Sequence, residues 1–195
     1  MGSNCDRSRY LRESLSFSSE AALCGGARGD GRERRIERRI RPMTAKRLLI
    51  LAHAPSPNTE RLRAAVLAGA REIAGVEIAM RAPLEATPED ALAADALILG
   101  TTENLGYMSG ALKDFFDRSY YPCLDRMQGR PYALYIRAGN DGAGARRSVE
   151  SVATGLRWRA VQEPLIFRGP WREEFVEACR ELGMAMAAGL EAGVF

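Results

Sequence analysis

The chain has 195 residues, a formal net charge of +3, 46% apolar residues and 27% charged residues. These values are typical of one globular domain with a sizeable core. No apolar run reaches the ~18–20 residues that a membrane-spanning helix requires, so the sequence predicts no transmembrane segment. The first residues lack the apolar segment of a secretory signal, so we expect a cytoplasmic protein with reduced thiols.

The charge is unevenly distributed along the chain. Residues 1–42 carry ten arginines and six acidic residues, whereas the remainder carries 18 basic and 19 acidic residues. The first segment is poor in large aliphatic residues and has no apolar period, which predicts a disordered, Arg-rich extension. Three interpretations of it stay open: a solvated charge run, an arm for a nucleic acid or an acidic partner, or a segment preceding a start at Met43. The near-neutral body, residues 43–195, gives no reason to expect a nucleic-acid partner.

From Thr44 onward, short apolar runs alternate with stretches of helical period. The first run, Arg47–Ala52, is almost continuously apolar, as in a parallel strand that is buried on both faces. A helix capped by Asn58 or Thr59 follows and ends at Gly75, and Thr87 caps a second, brief helix. The further predicted strands are Val76–Met80, Asp95–Gly100, Pro131–Arg137 and a fifth around Glu163–Arg168. The further predicted helices are Met108–Tyr120, Ala143–Leu156 and Trp171–Leu190.

This alternation predicts an α/β fold of three layers, with helices on both faces of a five-stranded parallel sheet of order 2-1-3-4-5. In such sheets, ligands bind beyond the carboxyl ends of the strands. The loops that follow strands one, three and four are therefore the candidate site.

The first of these loops runs from His53 to Thr59 and leads into a helix. A helix N-terminus offers free N–H groups and a partial positive charge, so a phosphate site and plain helix capping are both open. The loop contains no GxxxxGK[ST] and no GxGxxG, which excludes the two common nucleotide-binding fingerprints. No Asp stands near the end of strand one, which argues against a phospho-accepting receiver domain. His53 is the only histidine, and two roles stay open for it: a structural or merely exposed residue, or a residue that contacts a ligand.

The second loop is TTENLGYMSG, residues 101–110, and the third is AGNDGAG, residues 138–144. The second offers hydroxyls, an amide, two glycines and Tyr107, which is either a surface residue or a cover for a flat ring. Three glycines in the third loop either form a flexible turn or allow a ligand to approach the backbone closely. The four cysteines form no CxxC pair, and with a single histidine they leave no zinc set, so no metal is expected.

The run GTTENLGYMSGALKDFFDR, residues 100–118, closely resembles the second flavin loop of flavodoxin-like proteins, including NAD(P)H-dependent FMN reductases and quinone oxidoreductases. SPNTERL, residues 56–62, resembles the phosphate loop of that family. The resemblance spans about Lys46 to Leu190 and implies a flavodoxin-like fold that binds FMN.

The resemblance also implies a role for each loop. The FMN phosphate would be held by Ser56, Asn58 and Thr59. The isoalloxazine ring and the ribityl chain would be lined by Thr101, Thr102, Glu103, Asn104, Leu105, Gly106 and Tyr107. The far side of the ring would meet Gly139, Asn140, Asp141 and Gly142. This sequence departs from the family at Pro55 and Pro57, which donate no N–H, so the phosphate would depend more on side chains and the helix dipole, with Arg61 as a supplement.

The resemblance implies an oxidoreductase in which FMN passes electrons from NADPH or NADH to a quinone or another small acceptor. Members of the family are often dimers or tetramers, and we expect a homo-oligomer. Two other hypotheses stay open: an electron-transfer or binding protein without its own substrate, and a flavin-free protein of the same fold. Because electron-shuttling flavodoxins are strongly acidic, the near-neutral body favours the enzyme. Tyr107, Tyr120 and Tyr121 would wall the acceptor space, although packing at a helix end is the favoured interpretation of Tyr120 and Tyr121.

Overall fold

The computed structural model describes residues 45–195. The predicted N-terminal extension, residues 1–42, lies outside the described residues. The strands are β1 (Lys46–Ala52), β2 (Val76–Arg81), β3 (Ala96–Asn104), β4 (Tyr107–Met108), β5 (Pro131–Arg137), β6 (Arg159–Ala160) and β7 (Leu165–Phe167). The helices are α1 (Pro57–Arg71), α2 (Pro88–Leu92), α3 (Gly110–Cys123), α4 (Ala143–Gly155) and α5 (Glu174–Glu191).

Parallel strands form the sheet in the order β2-β1-β3-β5, and β6 and β7 then both pair with β5. This arrangement confirms the predicted order of the sheet. The fifth position differs from the single strand that the sequence predicted, because two short strands share it. The segment that separates them contains Pro164, which has no N–H to donate to the ladder, so one continuous strand cannot form there.

The sheet has a separate apolar core on each face. Side chains of β3 alternate between them: Leu97 and Leu99 pack toward α3 and α4, whereas Ile98 packs toward α1 and α5. Phe115 and Phe116 of α3 are fully buried in the first core. On the other face, α1 and α5 pack closely. A Cβ at Gly183 would lie 2.0 Å from the carbonyl oxygen of Val66, a separation that only glycine permits.

The first turn of α1 differs from the prediction that Asn58 or Thr59 caps it. Ser56 is the N-cap, and Pro57 occupies the first helical position, where its fixed φ suits the helix and its missing N–H is not needed. The Ser56 hydroxyl accepts a hydrogen bond from the N–H of Thr59, and the Thr59 hydroxyl oxygen accepts one from the N–H of Ser56. This reciprocal pair is a capping box. Thr87 forms the same pair with Asp90 at the start of α2, as its predicted capping role requires.

No helix within residues 45–195 combines the length and the apolar character needed to cross a membrane.

Candidate functional site

The carboxyl edge of the sheet brings together the three loops that the sequence singled out. Ala52 at the end of β1 lies beside Gly100 of β3, and Thr102 of β3 lies beside Arg137 at the end of β5. The first loop is joined to β3 directly, because the N–H of His53 donates to the carbonyl oxygen of Gly100 at 2.9 Å. The loops after β1, β3 and β5 therefore form neighbouring parts of one surface.

The first loop offers few free donors. Pro55 and Pro57 have no N–H, and the N–H groups of Ser56 and Thr59 are engaged within the capping box. Thr59 is buried, and its hydroxyl donates to the carbonyl oxygen of Ser56 at 2.9 Å. Its side chain is thus used in capping the helix. The Ser56 hydroxyl lies 3.0 Å from the Thr59 hydroxyl and is also engaged in the capping box. What remains uncommitted for an anion at this helix start is the exposed Asn58 and the positive end of the helix dipole.

His53, at the head of this loop, is half-buried. Burial lowers the pKa of its imidazole from the ordinary value of 6.5, because desolvation disfavours the charged form. The side chain is therefore mostly neutral near pH 7, which leaves one ring nitrogen as a donor and the other as an acceptor.

The second loop is a β-hairpin, which the sequence analysis did not predict. β3 continues to Asn104, and Asn104 pairs with Tyr107 of β4 in antiparallel register. Leu105 and Gly106 form the two-residue turn with φ of 52° and 73°. Positive φ at both positions is typical of a type I′ turn, which matches the twist of the strands it joins. Leu105 is fully exposed in this unfavourable conformation, and Tyr107 is 44% exposed.

The first turns of α4 support this hairpin closely. A Cβ at Gly144 would lie 1.8 Å from the carbonyl oxygen of Gly106, so a side chain there would displace the turn. The hydroxyl of the buried Ser148 accepts a hydrogen bond from the N–H of Met108 at 3.1 Å and donates to the carbonyl oxygen of Ala145. The hairpin is therefore held against α4 by packing at its tip and by a hydrogen bond at its base.

Thr101 and Thr102 point to opposite faces of the sheet and differ in their partners. The Thr101 hydroxyl accepts a hydrogen bond from the N–H of Ser109, and Ser109 in turn caps α3. Thr101 thus positions the start of α3 from beneath the hairpin. The hydroxyl of Thr102 is buried and has no hydrogen-bond partner within residues 45–195. A buried polar group without a partner is costly. Three other buried atoms of residues 45–195 share this condition, Arg47 Nε, Ser119 Oγ and Trp158 Nε1, so the Thr102 hydroxyl alone does not mark a ligand site.

Glu103 joins the second loop to the third. Its carboxylate accepts hydrogen bonds from the N–H of Asn140 at 2.8 Å and from the N–H of Gly142 at 3.2 Å. The Asp141 carboxylate accepts a hydrogen bond from the N–H of Ala143 at 2.9 Å, at the start of α4. These contacts fix the third loop against the hairpin. Two of the backbone donors predicted to face a ligand are therefore used by Glu103.

Arg137 is a residue of this edge that the sequence analysis missed. Its guanidinium donates to the carbonyl oxygens of Ala138, Phe167 and Gly169, and so ties the segment after β7 to β5. The signal that could have revealed it is an arginine at the end of an otherwise apolar, buried strand. A charged residue at such a position requires several partners.

Two other expected contributors are placed elsewhere. Arg61 forms a bidentate ion pair with Glu173 and stacks on Trp171, 5.1 Å from the centre of that ring, so its charge is already committed. Tyr120 and Tyr121 lie near the end of α3, whereas the three loops are at its beginning, about 15 Å away at the rise of an α-helix. Tyr120 packs against Gly155 at the end of α4. Tyr120 thus packs at the helix end, whereas Tyr121 is 80% exposed.

Residues 45–195 contain no group of three or more His, Cys, Asp or Glu side chains arranged to hold a metal ion. Cys123 and Cys179 are free and buried. Burial raises the pKa of the Cys179 thiol to about 12, so it stays protonated at neutral pH.

The parallel strands follow the order β2-β1-β3-β5, and the candidate site lies on the loops at the carboxyl edge of the sheet. This arrangement defines an α/β protein of the flavodoxin-like class. Residues 21–169 match the model of the NADPH-dependent FMN reductase family, and the chain belongs to that family.

Relatives and solved structures agree with this assignment. The chain is 27% identical to a flavodoxin of Aquifex aeolicus over 157 residues, which cover 72% of this chain and 85% of that protein. It is 24% identical to an NAD(P)H dehydrogenase (quinone) of Syntrophus aciditrophicus over 171 residues, covering 73% and 84%. Among solved structures, a flavodoxin from the domain Archaea superposes with a TM-score of 0.65 at 16% identity, over 74% of this chain and 99% of that one. The structural likeness supports the fold alone.

Proposed function

We propose that this protein is an FMN-dependent oxidoreductase that takes electrons from NADPH or NADH and delivers them to a quinone or another small acceptor. The observation that carries the proposal is the meeting of the three loops at the carboxyl edge of the sheet, where the unpartnered Thr102 hydroxyl also lies. Membership of the NADPH-dependent FMN reductase family and the similarity to NAD(P)H quinone dehydrogenases support the same reading.

The residues at the ring end of the site fit a flavin. The Thr102 hydroxyl would gain a partner from a polar edge of the ligand. Gly139 has open space where a side chain would stand, so a flat ring can approach the backbone of the third loop. The exposed side chains of Asn104 and Leu105 are available to contact or cover the ring. Asn140, Asp141 and Gly142 would contact the far side of the ring.

At the phosphate end, the fit depends on fewer groups. Ser56 and Asn58 would hold the FMN phosphate with the positive end of the α1 dipole, while Thr59 would contribute by fixing the helix start. Because the two prolines remove backbone donors, we expect FMN to bind more weakly than in a loop with a full set of N–H groups.

When bound, FMN would supply the hydride and electron-transfer chemistry, and the protein would supply binding and orientation. The chain then needs no acid–base dyad of its own. Glu103 would hold the third loop in place, and the hairpin would present its side chains to the ring. A homo-oligomer and a cytoplasmic location stay predictions.

An electron-transfer protein without its own substrate is the second candidate, favoured by the similarity to the Aquifex aeolicus flavodoxin. The near balance of 18 basic and 19 acidic residues after residue 42 counts against it, because it gives no strong field for steering toward a basic partner.

An absorption spectrum of the protein, loaded with FMN and then desalted, tests the proposal. Retained flavin bands that bleach with NADPH or NADH support a reductase, and retained bands that bleach with neither favour the carrier. A protein that holds no flavin and leaves the fluorescence of free FMN unquenched would contradict the proposal. A Thr102→Val variant should bind FMN about fivefold more weakly, through loss of one hydrogen bond. Thr154→Val, an exposed position on α4, is the matched control and should bind FMN as the native chain does.

A further inference from the structure

A groove of about 330 Å³ lies between the hairpin and α4, separate from the first loop and its helix start. The groove is lined by Gly106, Tyr107, Gly144, Arg147, Ser148 and Ser151. Its volume is within the range of pockets that take small ligands or parts of larger ones.

The groove contains a cation without a counter-charge. No carboxylate of residues 45–195 lies within ion-pairing distance of the exposed Arg147. Its neighbour Arg146, by contrast, is paired with Glu150 at 2.8 Å and with Glu163 at 3.0 Å. A guanidinium that is free of carboxylates is available to bind a phosphate with two parallel hydrogen bonds.

The other walls of the groove suit the rest of a nucleotide. Tyr107 presents a partly exposed aromatic ring, on which a base can stack, and Ser151 offers an exposed hydroxyl. The floor is closely packed, because Gly144 lies directly on the carbonyl of Gly106 and the Ser148 hydroxyl accepts a hydrogen bond from the N–H of Met108. A ligand would thus meet a preformed surface and would lose little affinity to ordering of the protein.

We propose that this groove binds the adenosine end of NADPH, with Arg147 and Ser151 on its 2′-phosphate and Tyr107 against the base. The inference rests on the proposed function and adds to it a basis for choosing NADPH over NADH. The hairpin that forms one wall of the groove also carries the residues predicted to line the flavin. The nucleotide would therefore bind beside the ring that its nicotinamide must reach.

The test is a calorimetric titration of the full-length protein, with and without FMN, using adenosine 2′,5′-bisphosphate and, separately, adenosine 5′-monophosphate. We expect the bisphosphate to bind more tightly. Arg147→Ala should weaken its binding about tenfold and leave the monophosphate little changed, because one charge-assisted contact to the 2′-phosphate is lost. Ser151→Asp should weaken it as well, through repulsion.

Arg146→Ala is the matched control, since it removes the same charge one residue away but outside the groove. With the FMN-loaded protein, Arg147→Ala should raise the KM for NADPH and leave that for NADH unchanged.

Equal affinity for the two probes, or equal losses in the Arg147 and Arg146 variants, would overturn the groove proposal. So would a failure of both probes to bind. The proposed function fails separately, by the absence of FMN retention in the native chain, which is measured without either probe.

Discussion

The carboxylate of Glu103 accepts a hydrogen bond from the backbone N–H of Asn140 at 2.8 Å, across 37 residues of sequence. A second bond, from the N–H of Gly142, completes the clamp, by which we mean the contacts of Glu103 with residues 140–142. The hairpin and the third loop are thus joined directly, without a ligand between them.

Removal of this clamp should loosen the third loop. We expect Glu103→Ala to lower the free energy of unfolding by about 1 kcal/mol, since two bonds to a partly exposed carboxylate are lost. Hydrogen exchange of the amides at residues 140–142 should become faster, and FMN should bind more weakly. Glu85→Ala removes an exposed carboxylate far from the loops along the chain and serves as control. Unchanged exchange at residues 140–142 in the Glu103 variant would show that the clamp does not hold the loop.

The contact between Gly144 and Gly106 should tolerate no side chain. A methyl group at position 144 must push the hairpin tip away from α4, because its Cβ would lie 1.8 Å from a backbone oxygen. We expect Gly144→Ala to destabilise the flavin-free protein by about 1–3 kcal/mol, as overpacking does elsewhere. Urea unfolding measures this. The control is Gly139→Ala, where the added Cβ meets nothing within 4 Å, and equal losses in the two variants would contradict the prediction.

Leu105 should be replaceable with a gain in stability. It has a φ of 52° and makes no apolar contact that could offset the strain, since it is fully exposed. Asparagine tolerates this region and, followed by Gly106, gives the preferred type I′ pair, so Leu105→Asn should stabilise the flavin-free protein by about 0.5–1 kcal/mol. Thermal unfolding tests this, with Leu84→Asn, another exposed leucine, as control. A loss of stability at position 105 would mean that the turn gains something from the leucine.

His53 should make the folded protein less stable in mild acid. Burial lowers the pKa of His53 below its value of 6.5 in the unfolded chain, so between the two pKa values the unfolded state binds more protons. The stability contributed by the neutral imidazole is full above pH 6.5 and is lost as the pH falls toward the folded pKa. Urea unfolding between about pH 8 and about pH 5 measures it.

The chain has one histidine, so the assignment is direct. His53→Gln should show a smaller loss of stability over the same range, and an equal loss would assign the effect to the carboxylates.

The fold was predictable because its signals are local. Apolar runs such as Leu48–Leu51 are long enough to define buried strands, and the helical period of α3 places Phe115 and Phe116 in the core. The alternation of strands and helices, with the handedness of their connections, restricts the sheet to a few parallel orders, and the resemblance to the flavodoxin-like family selects 2-1-3-4-5 among them.

The parts of the site that escaped prediction depend on contacts between distant residues or on unusual turn chemistry. The hairpin uses Leu105 where the recognisable signal would be Asn or Asp, so its turn could not be identified from composition. The clamp of Glu103 and the support of Met108 by Ser148 join residues 37 to 40 positions apart, and one sequence does not show them. The two prolines that flank Ser56 conceal it as the cap of α1, although Pro57 is well suited to the first helical position.

The sheet divides the apolar interior into two cores, so substitutions in one core should affect stability independently of substitutions in the other. Val149 is buried on one side of the sheet and Val66 on the other, and they belong to cores that share no side chains. Losses of stability at such independent places add to within about 0.5 kcal/mol. The two halves of the interior can therefore vary separately, and a defect on the α1–α5 side need not disturb the half that carries the hairpin.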